Sequence, residues 1–300
     1  MNVALYDVDS KIPNLALMKL SAWHRAQGHR TSMYLPIMHA TYDKVYASKI
    51  FDFSDGSMIT PDMVVGGTGV DLTTDLPAEV MAMDPDYGLY GFGHSMGFAM
   101  RGCRFRCGFC VVPRKEGKAR SNRTIEQLWT NRSSDFLWLL DNDFFGNPNW
   151  KECIGEIREL ELRVCFLQGL NIRIITEEQA HALASVRFRN KKGDRSIASF
   201  AWDRMRDEKL IRRGVKRLEG AGIKPWQMQF FVLIGYDTDM EQDLHRVLLL
   251  RDLGADPFVM PFDRSDQYQK SFTRWVNHRA IFNTVTWADY QKSKGLRFGA

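Results

Sequence analysis

The chain has no apolar run approaching the roughly 18–20 residues needed to span a bilayer. Its 300 residues include only five cysteines, and none of them precedes Cys103. The first lack excludes an anchor of membrane-spanning helices. The opening residues, MNVALYDVDSKIPN, have no basic segment followed by a cleavable apolar core, so no secretory signal is expected. Five is an odd number and three of the cysteines fall within eight residues, so a disulfide framework is not expected; clustered cysteines in a cytosolic chain more often bind metal. What is present is a composition 44% hydrophobic and 12% aromatic, enough for a sizeable core, which excludes disordered and collagen-like classes. The expectation is a cytoplasmic protein without membrane segments.

Charge is unevenly shared. Residues 1–90 hold 6 Lys and Arg against 11 Asp and Glu, although the whole chain carries a net +5. Much of the surplus lies in residues 187–224, with 13 basic and 5 acidic side chains. Such a stretch attracts phosphates and equally forms the solvated face of a helix. The asymmetry marks the first 90 residues as a separate unit.

Short apolar runs alternate with helical periodicity along the whole chain. Strands are predicted at 3–9, 31–37, 44–50 and 63–67, with a helix over 14–28 ending at Gly28. Residues 73–88 read as a linker. Six further strands are expected at about 91–100, then at 136–140, 163–168, 196–202, 228–235 and 256–262, each followed by a helix. Repeated βα units imply parallel strands with helices outside. The organisation expected is a small α/β domain over 1–88, six βα units over 89–285 and a tail over 286–300.

The chemistry lies in Arg101-Gly102-Cys103-Arg104-Phe105-Arg106-Cys107-Gly108-Phe109-Cys110, with the spacing C-x3-C-x2-C. Three thiolates on one short loop can ligate three irons of a cubane cluster, and with no fourth cysteine nearby one iron stays open. An open position is what a reactive metal site keeps. Zinc completed by His94 is the alternative. Cys153 and Cys165 fall in a helix and a strand, where cysteine serves as a small buried hydrophobe.

At these residues the sequence resembles the radical S-adenosylmethionine (SAM) enzymes, whose signature is C-x3-C-x-aromatic-C; Cys103, Cys107, Phe109 and Cys110 fit it. RGC, FCVVP at 109–113 and KEGK at 115–118 are similar to the branch with an N-terminal cobalamin-binding-type domain. The resemblance implies a partial (β/α)6 TIM-type barrel preceded by a shortened cobalamin-binding fold. It implies a [4Fe-4S] cluster, SAM chelated to the open iron, reductive cleavage to a 5′-deoxyadenosyl radical, hydrogen abstraction from an unassigned substrate, and an electron donor such as flavodoxin or ferredoxin. Phe109 is then placed near the adenine. Asp141 or Asp143 occupies the position of the motif that meets the SAM amino group, although the family's Gly-Gly-Glu is absent. Asp203 follows the fourth strand, where a ribose-binding polar residue is common. Ile234 and Gly235 match the end of the fifth-strand motif, and Met260 lies on the sixth strand, which offers backbone hydrogen bonds to adenine. Gln168, Gly169, Asn171 and Arg173 follow the third strand toward the same mouth. The Asp-x-His-x-x-Gly motif for an axial histidine is missing, so cobalamin is not expected and the N-terminal domain is read as vestigial or a lid.

CVVPRKEGKARSNR is also similar to the corresponding region of tRNA methylthiotransferases, but those carry three further cysteines upstream and none exists here. The rival readings are an RNA-modifying radical SAM enzyme, carried by the basic stretches, and a non-catalytic Fe–S or zinc protein that keeps the fold.

Overall fold

The computed structural model describes residues 1–296 and 298. Arg297, Gly299 and Ala300, the end of the expected tail, lie outside the described residues.

The N-terminal unit opens with β1 (Asn2–Asp7), α1 (Leu15–Ala26), β2 (Arg30–Met33), β3 (Lys44–Ser48) and β4 (Val64–Gly66), forming a parallel sheet in the order β2-β1-β3-β4. Asn14 starts α1 because its side-chain oxygen accepts from the Ala16 and Leu17 amides at 3.1 and 3.2 Å. Gly28 ends it, with a φ of 78° that favours glycine. The predicted linker holds a short helix, α2 (Ala78–Ala82), and a 3-10 turn at Tyr87–Tyr90.

Next come β5 (Ser95–Gly97), β6 (Met100–Arg101), α3 (Val112–Lys115), β7 (Arg120–Ser121), α4 (Ile125–Leu128), β8 (Phe136–Leu139), α5 (Trp150–Glu159) and β9 (Arg163–Phe166). They are followed by α6 (Glu177–Ala184), β10 (Arg187–Phe188), β11 (Ala198–Ala201), α7 (Glu208–Gly220), β12 (Met228–Ile234), α8 (Met240–Asp252) and β13 (Asp256–Pro261). The chain closes with α9 (Gln267–Asn277), α10 (Arg279–Thr284) and α11 (Trp287–Ser293). One parallel sheet runs β10-β9-β8-β5 and another β11-β12-β13, joined by a parallel bridge between Leu170 and Phe200. The first predicted strand of this region is split into β5 and β6, and β6 turns away to pair antiparallel with β7. The single helix expected near 272–282 is broken at His278, and the stretch expected as a tail carries α11, with Trp287 and Tyr290 in the core. Among the described residues no helix is long and apolar enough to cross a membrane.

The two faces of these sheets have different partners. Leu137, Leu139, Val164, Phe200, Phe230, Val232 and Ile234 join the helices in one continuous core. On the opposite face Phe136, Trp138 and Cys165 pack with Met18 of α1, flanked by Ile12 and Leu15. The N-terminal unit therefore covers that face of β8 and β9. Along β11–β13 that face stays open: Phe231 stacks edge-to-face on Phe258 at 6.1 Å, and Phe258 and Met260 are exposed.

Candidate functional site

The sequence-predicted positions lie near or beyond strand ends, so the fold decides which of them meet. The cysteine loop leaves β6. Gly102, with a φ of 79°, lies so close to Lys118 that a Cβ would collide with its backbone carbonyl. Cys103 donates its amide to the Gly117 carbonyl at 3.2 Å, and the Cys110 amide reaches the Cys107 carbonyl at 3.0 Å. Glu116 fastens the turn: it accepts from the Gly102 amide at 2.8 Å and from Asn142 at 3.2 Å, and pairs with Arg101 at 3.1 Å. Each contact fixes the direction in which Cys103 leaves the backbone.

The three thiols are half-buried and unpaired by disulfide, as are the buried Cys153 and Cys165. Burial pushes the Cys103 thiol up to about 11, and negative charge at Asp143, Cys107 and Cys110 adds to the effect. Burial also raises Cys110, with Cys107, Asp203 and Glu116 contributing. Cys103 and Cys110 thus disfavour ionisation until a cation is added beside them, which is the condition metal coordination meets. Among the described residues no three His, Cys, Asp or Glu side chains converge on a single metal ion. Such convergence is the demand of one ion; the ligands of a cube each hold a separate iron. His94, the possible fourth zinc ligand, stands before β5, hydrogen-bonded to Ser134 at 3.2 Å and stacked against Phe92 and Phe136.

Loops after the other strands close round this turn. After β8, Asp143 is buried and takes both Arg104 Nε and an Arg104 terminal nitrogen, at 2.6 and 2.8 Å. This bidentate pair ties the loop to the end of β8. Asp141 has a different setting. One oxygen accepts from the Met100 amide at 3.0 Å, and the other is buried with no partner. After β9, the Arg173 guanidinium lies 4.5 Å over the Phe105 ring and pairs with Asp207 at 3.3 Å. After β11, Asp203 is raised by burial while the Leu233 amide and the cations Arg173 and Arg246 oppose the shift. After β12, Tyr236 packs edge-to-face on Phe109 at 5.3 Å and on Phe262, beyond β13, at 5.0 Å. Gly108 lets the Tyr236 hydroxyl approach, since a Cβ there would displace it.

Of the expected residues, the three cysteines, Phe109, Asp143 and Asp203 are gathered at the loop, and Asp141 borders it through Met100. Met260 lies on the open inner face. The Ile234 side chain points into the helix-packed core, so only its backbone faces the strand end, where its carbonyl accepts from the Phe262 amide at 3.1 Å. Gly235, with a φ of 74°, leaves the space that Gln269 fills. Asn171 caps a turn, accepting from the Arg173 amide at 3.2 Å. Sequence reasoning missed the roles of Arg104, Glu116, Tyr236 and Arg246. Glu116 and Tyr236 lie within the motif runs KEGK and VLIGYD, but nothing in those runs tells which strand end each side chain reaches.

Burial pushes the Asp141 carboxyl up to about 7. The unfolded chain ionises it above about pH 4, whereas the folded chain keeps the proton until near 7. Stability from this group therefore falls across that window and levels off above it. The cost at pH 8 is about 4 kcal/mol, at roughly 1.4 kcal/mol per unit. Asp141→Asn is expected to melt higher than the parent protein at pH 8 and to lose that gain near pH 4, as read by thermal unfolding at both pH values.

No known protein-family model matches this chain, and no curated protein matches it.

Proposed function

We propose that the protein is a radical SAM enzyme, with Cys103, Cys107 and Cys110 holding a [4Fe-4S] cluster and β5, β8, β9, β11, β12 and β13 acting as the six strands of a partial (β/α)6 barrel. The observation that carries the reading is convergence: loops following β8, β9, β11, β12 and β13 meet the cysteine turn, through Arg104–Asp143, Arg173–Phe105, Asp203 beside Cys110, and the Phe109–Tyr236–Phe262 chain of rings. Chemistry at the carboxyl ends of parallel strands is the general expectation for such folds.

The residues fit the group. Three free, half-buried thiols on one turn supply the donors. Asp141 supplies an orphaned buried oxygen suited to the ammonium of SAM, while Asp143 is already saturated by Arg104; Asp141 is therefore the carboxylate assigned to that contact. When bound, cluster and SAM together supply one-electron cleavage of a carbon–sulfur bond and a 5′-deoxyadenosyl radical that abstracts hydrogen. The chain's own part is to hold the loop rigid through Glu116 and Arg104, to wall one side with Phe109, Tyr236 and Phe262, and to exclude water. Phe231, Phe258 and Met260 leave an apolar inner face for SAM and substrate. The N-terminal unit acts as a plug on the other half of that face, without cobalamin. Five free cysteines suit a reducing compartment, in keeping with the cytoplasm.

The test is anaerobic reconstitution followed by dithionite reduction in the presence of SAM. Formation of 5′-deoxyadenosine well above that of a Cys103→Ala control is the expected result; equal formation in the two proteins contradicts the proposal.

A further inference from the structure

On β11, β12 and β13 the residues that enter the helix-packed core alternate with residues that share the opposite face of the sheet. On that face Phe231 and Phe258 are partners in the parallel ladder, as are Leu233 and Met260, and the two phenyl rings meet at 6.1 Å. The ladder runs on past β13, where the Phe262 amide donates to the Ile234 carbonyl at 3.1 Å, so Phe258, Met260 and Phe262 project to the same side. Phe262 packs on Tyr236, and Tyr236 packs on Phe109 between Cys107 and Cys110. A single apolar strip therefore runs from the cysteine turn down the sheet. Phe258 and Met260 are 41% and 37% exposed, although their strand neighbours Pro257 and Val259 are buried. One charged residue of these strands stands on this face, Asp256 at its foot, and it is already paired with Arg279 and bonded by Gln229 at 3.2 Å.

We infer that this strip is the substrate bed, and that the substrate class is an uncharged, largely apolar molecule that carries a ring. The inference rests on the radical SAM reading proposed above and names the substrate class of that same site. Phe231 and Phe258 each lie three residues before the end of their strand, roughly 10 Å below the rim at about 3.3 Å per residue. The three thiols and Asp141, which would fix SAM, stand beyond strand ends. SAM held there covers the rings at the rim and leaves Phe231, Phe258 and Met260 to a second molecule. A contiguous exposed apolar strip inside a site is where a ligand of matching chemistry buries its surface. A phosphorylated or otherwise anionic substrate finds no cation on this face, and an unpaired charge laid against apolar rings is costly. The bed brings one C–H bond of the substrate to the rim. There the hydrogen atom passes to the 5′ carbon of the deoxyadenosyl radical: one C–H bond breaks, another forms, and the unpaired electron stays on the substrate carbon.

The test uses the reconstituted, unreduced holoenzyme and N-phenyl-1-naphthylamine, a neutral ring compound whose fluorescence rises in apolar surroundings, titrated with and without saturating SAM. The parent protein is expected to bind the dye with an affinity that SAM leaves unchanged. Phe258→Gln and Met260→Gln are each expected to weaken binding about tenfold. Phe258→Leu, which keeps the site apolar, should weaken it much less and guards against misfolding of the Gln form. Ile37→Gln alters an apolar position of the N-terminal unit that is 96% exposed, and should bind as the parent does. Equal binding by the parent and Phe258→Gln overturns the inference, as does a matching loss in Ile37→Gln. Displacement of the dye by SAM, or by uridine 5′-monophosphate, also overturns it. Failure of the dithionite-reduced parent to form 5′-deoxyadenosine counts against the cluster assignment instead, and the dye titrations still decide the bed.

Discussion

Replacing Arg246 with alanine is expected to lower stability by about 3–5 kcal/mol, the range seen when one partner of a buried ion pair is removed. Arg246 on α8 and Asp243 one turn before it are both fully buried and 2.6 Å apart. The guanidinium also donates to the Trp202 and Leu233 carbonyls, both at 2.8 Å, and so clasps the ends of β11 and β12. Asp243 accepts in addition from Thr238 at 2.6 Å and Tyr268 at 3.0 Å. Truncation strands a buried carboxylate and two carbonyls at once, and the uncompensated groups, rather than the lost attraction, set the size of the effect. Denaturant unfolding measures it. Because Asp203 directly follows Trp202, the same clasp holds the strand end that approaches Cys110. A loss below about 1 kcal/mol, the value of an exposed pair, would mean that the pair is open to water.

The second large effect concerns iron. Alanine at any one of Cys103, Cys107 or Cys110 is expected to reduce cluster content after anaerobic reconstitution and desalting to near background, because two thiolates from one turn leave a cube underligated. Alanine at Cys153 should leave iron content unchanged. Its thiol lies on the buried face of α5, is raised by burial to about 12, and accepts from the Asn147 side-chain amide at 3.5 Å. Total iron and acid-labile sulfide per chain read both results. Equal iron in Cys107→Ala and Cys153→Ala would show that the cysteine loop is not the site.

Much of the fold was legible because its signal is local. The strands at 136–139, 163–166 and 228–234 are apolar runs bounded by polar turns, and α1 carries both its cap and its terminating glycine in sequence. The split between β5 and β6 was not legible, since Phe98 and Ala99 continue the apolar run and only pairing of β6 with β7 draws the chain away. β10 is two residues long, too short for any period. α11 was read as tail because its anchoring residue, Trp287, packs on Tyr268, Phe272 and Trp275 of α9, far from it in sequence.

The site divides along the same line. The three cysteines fall within eight residues and their spacing announces them. Arg104 and Asp143 are 39 residues apart, and nothing in either neighbourhood names the other. Asp141 and Asp143 look alike in sequence, yet one has a saturated carboxylate and the other an orphaned oxygen. That difference comes from which strand end each one faces. The inner face shows the same dependence. Trp138 and Phe231 are both strand aromatics, but Met18, Phe92 and Lys191 cover the first, while Phe231 meets the exposed Phe258.

Electron paramagnetic resonance of the reconstituted, dithionite-reduced protein, recorded with and without SAM, tests the central claim most directly. The account predicts a signal from one unpaired electron whose shape changes when SAM is added, as an iron with a free coordination position requires. A reduced-cluster signal that SAM leaves unaltered, or no such signal together with one equivalent of zinc, would contradict it.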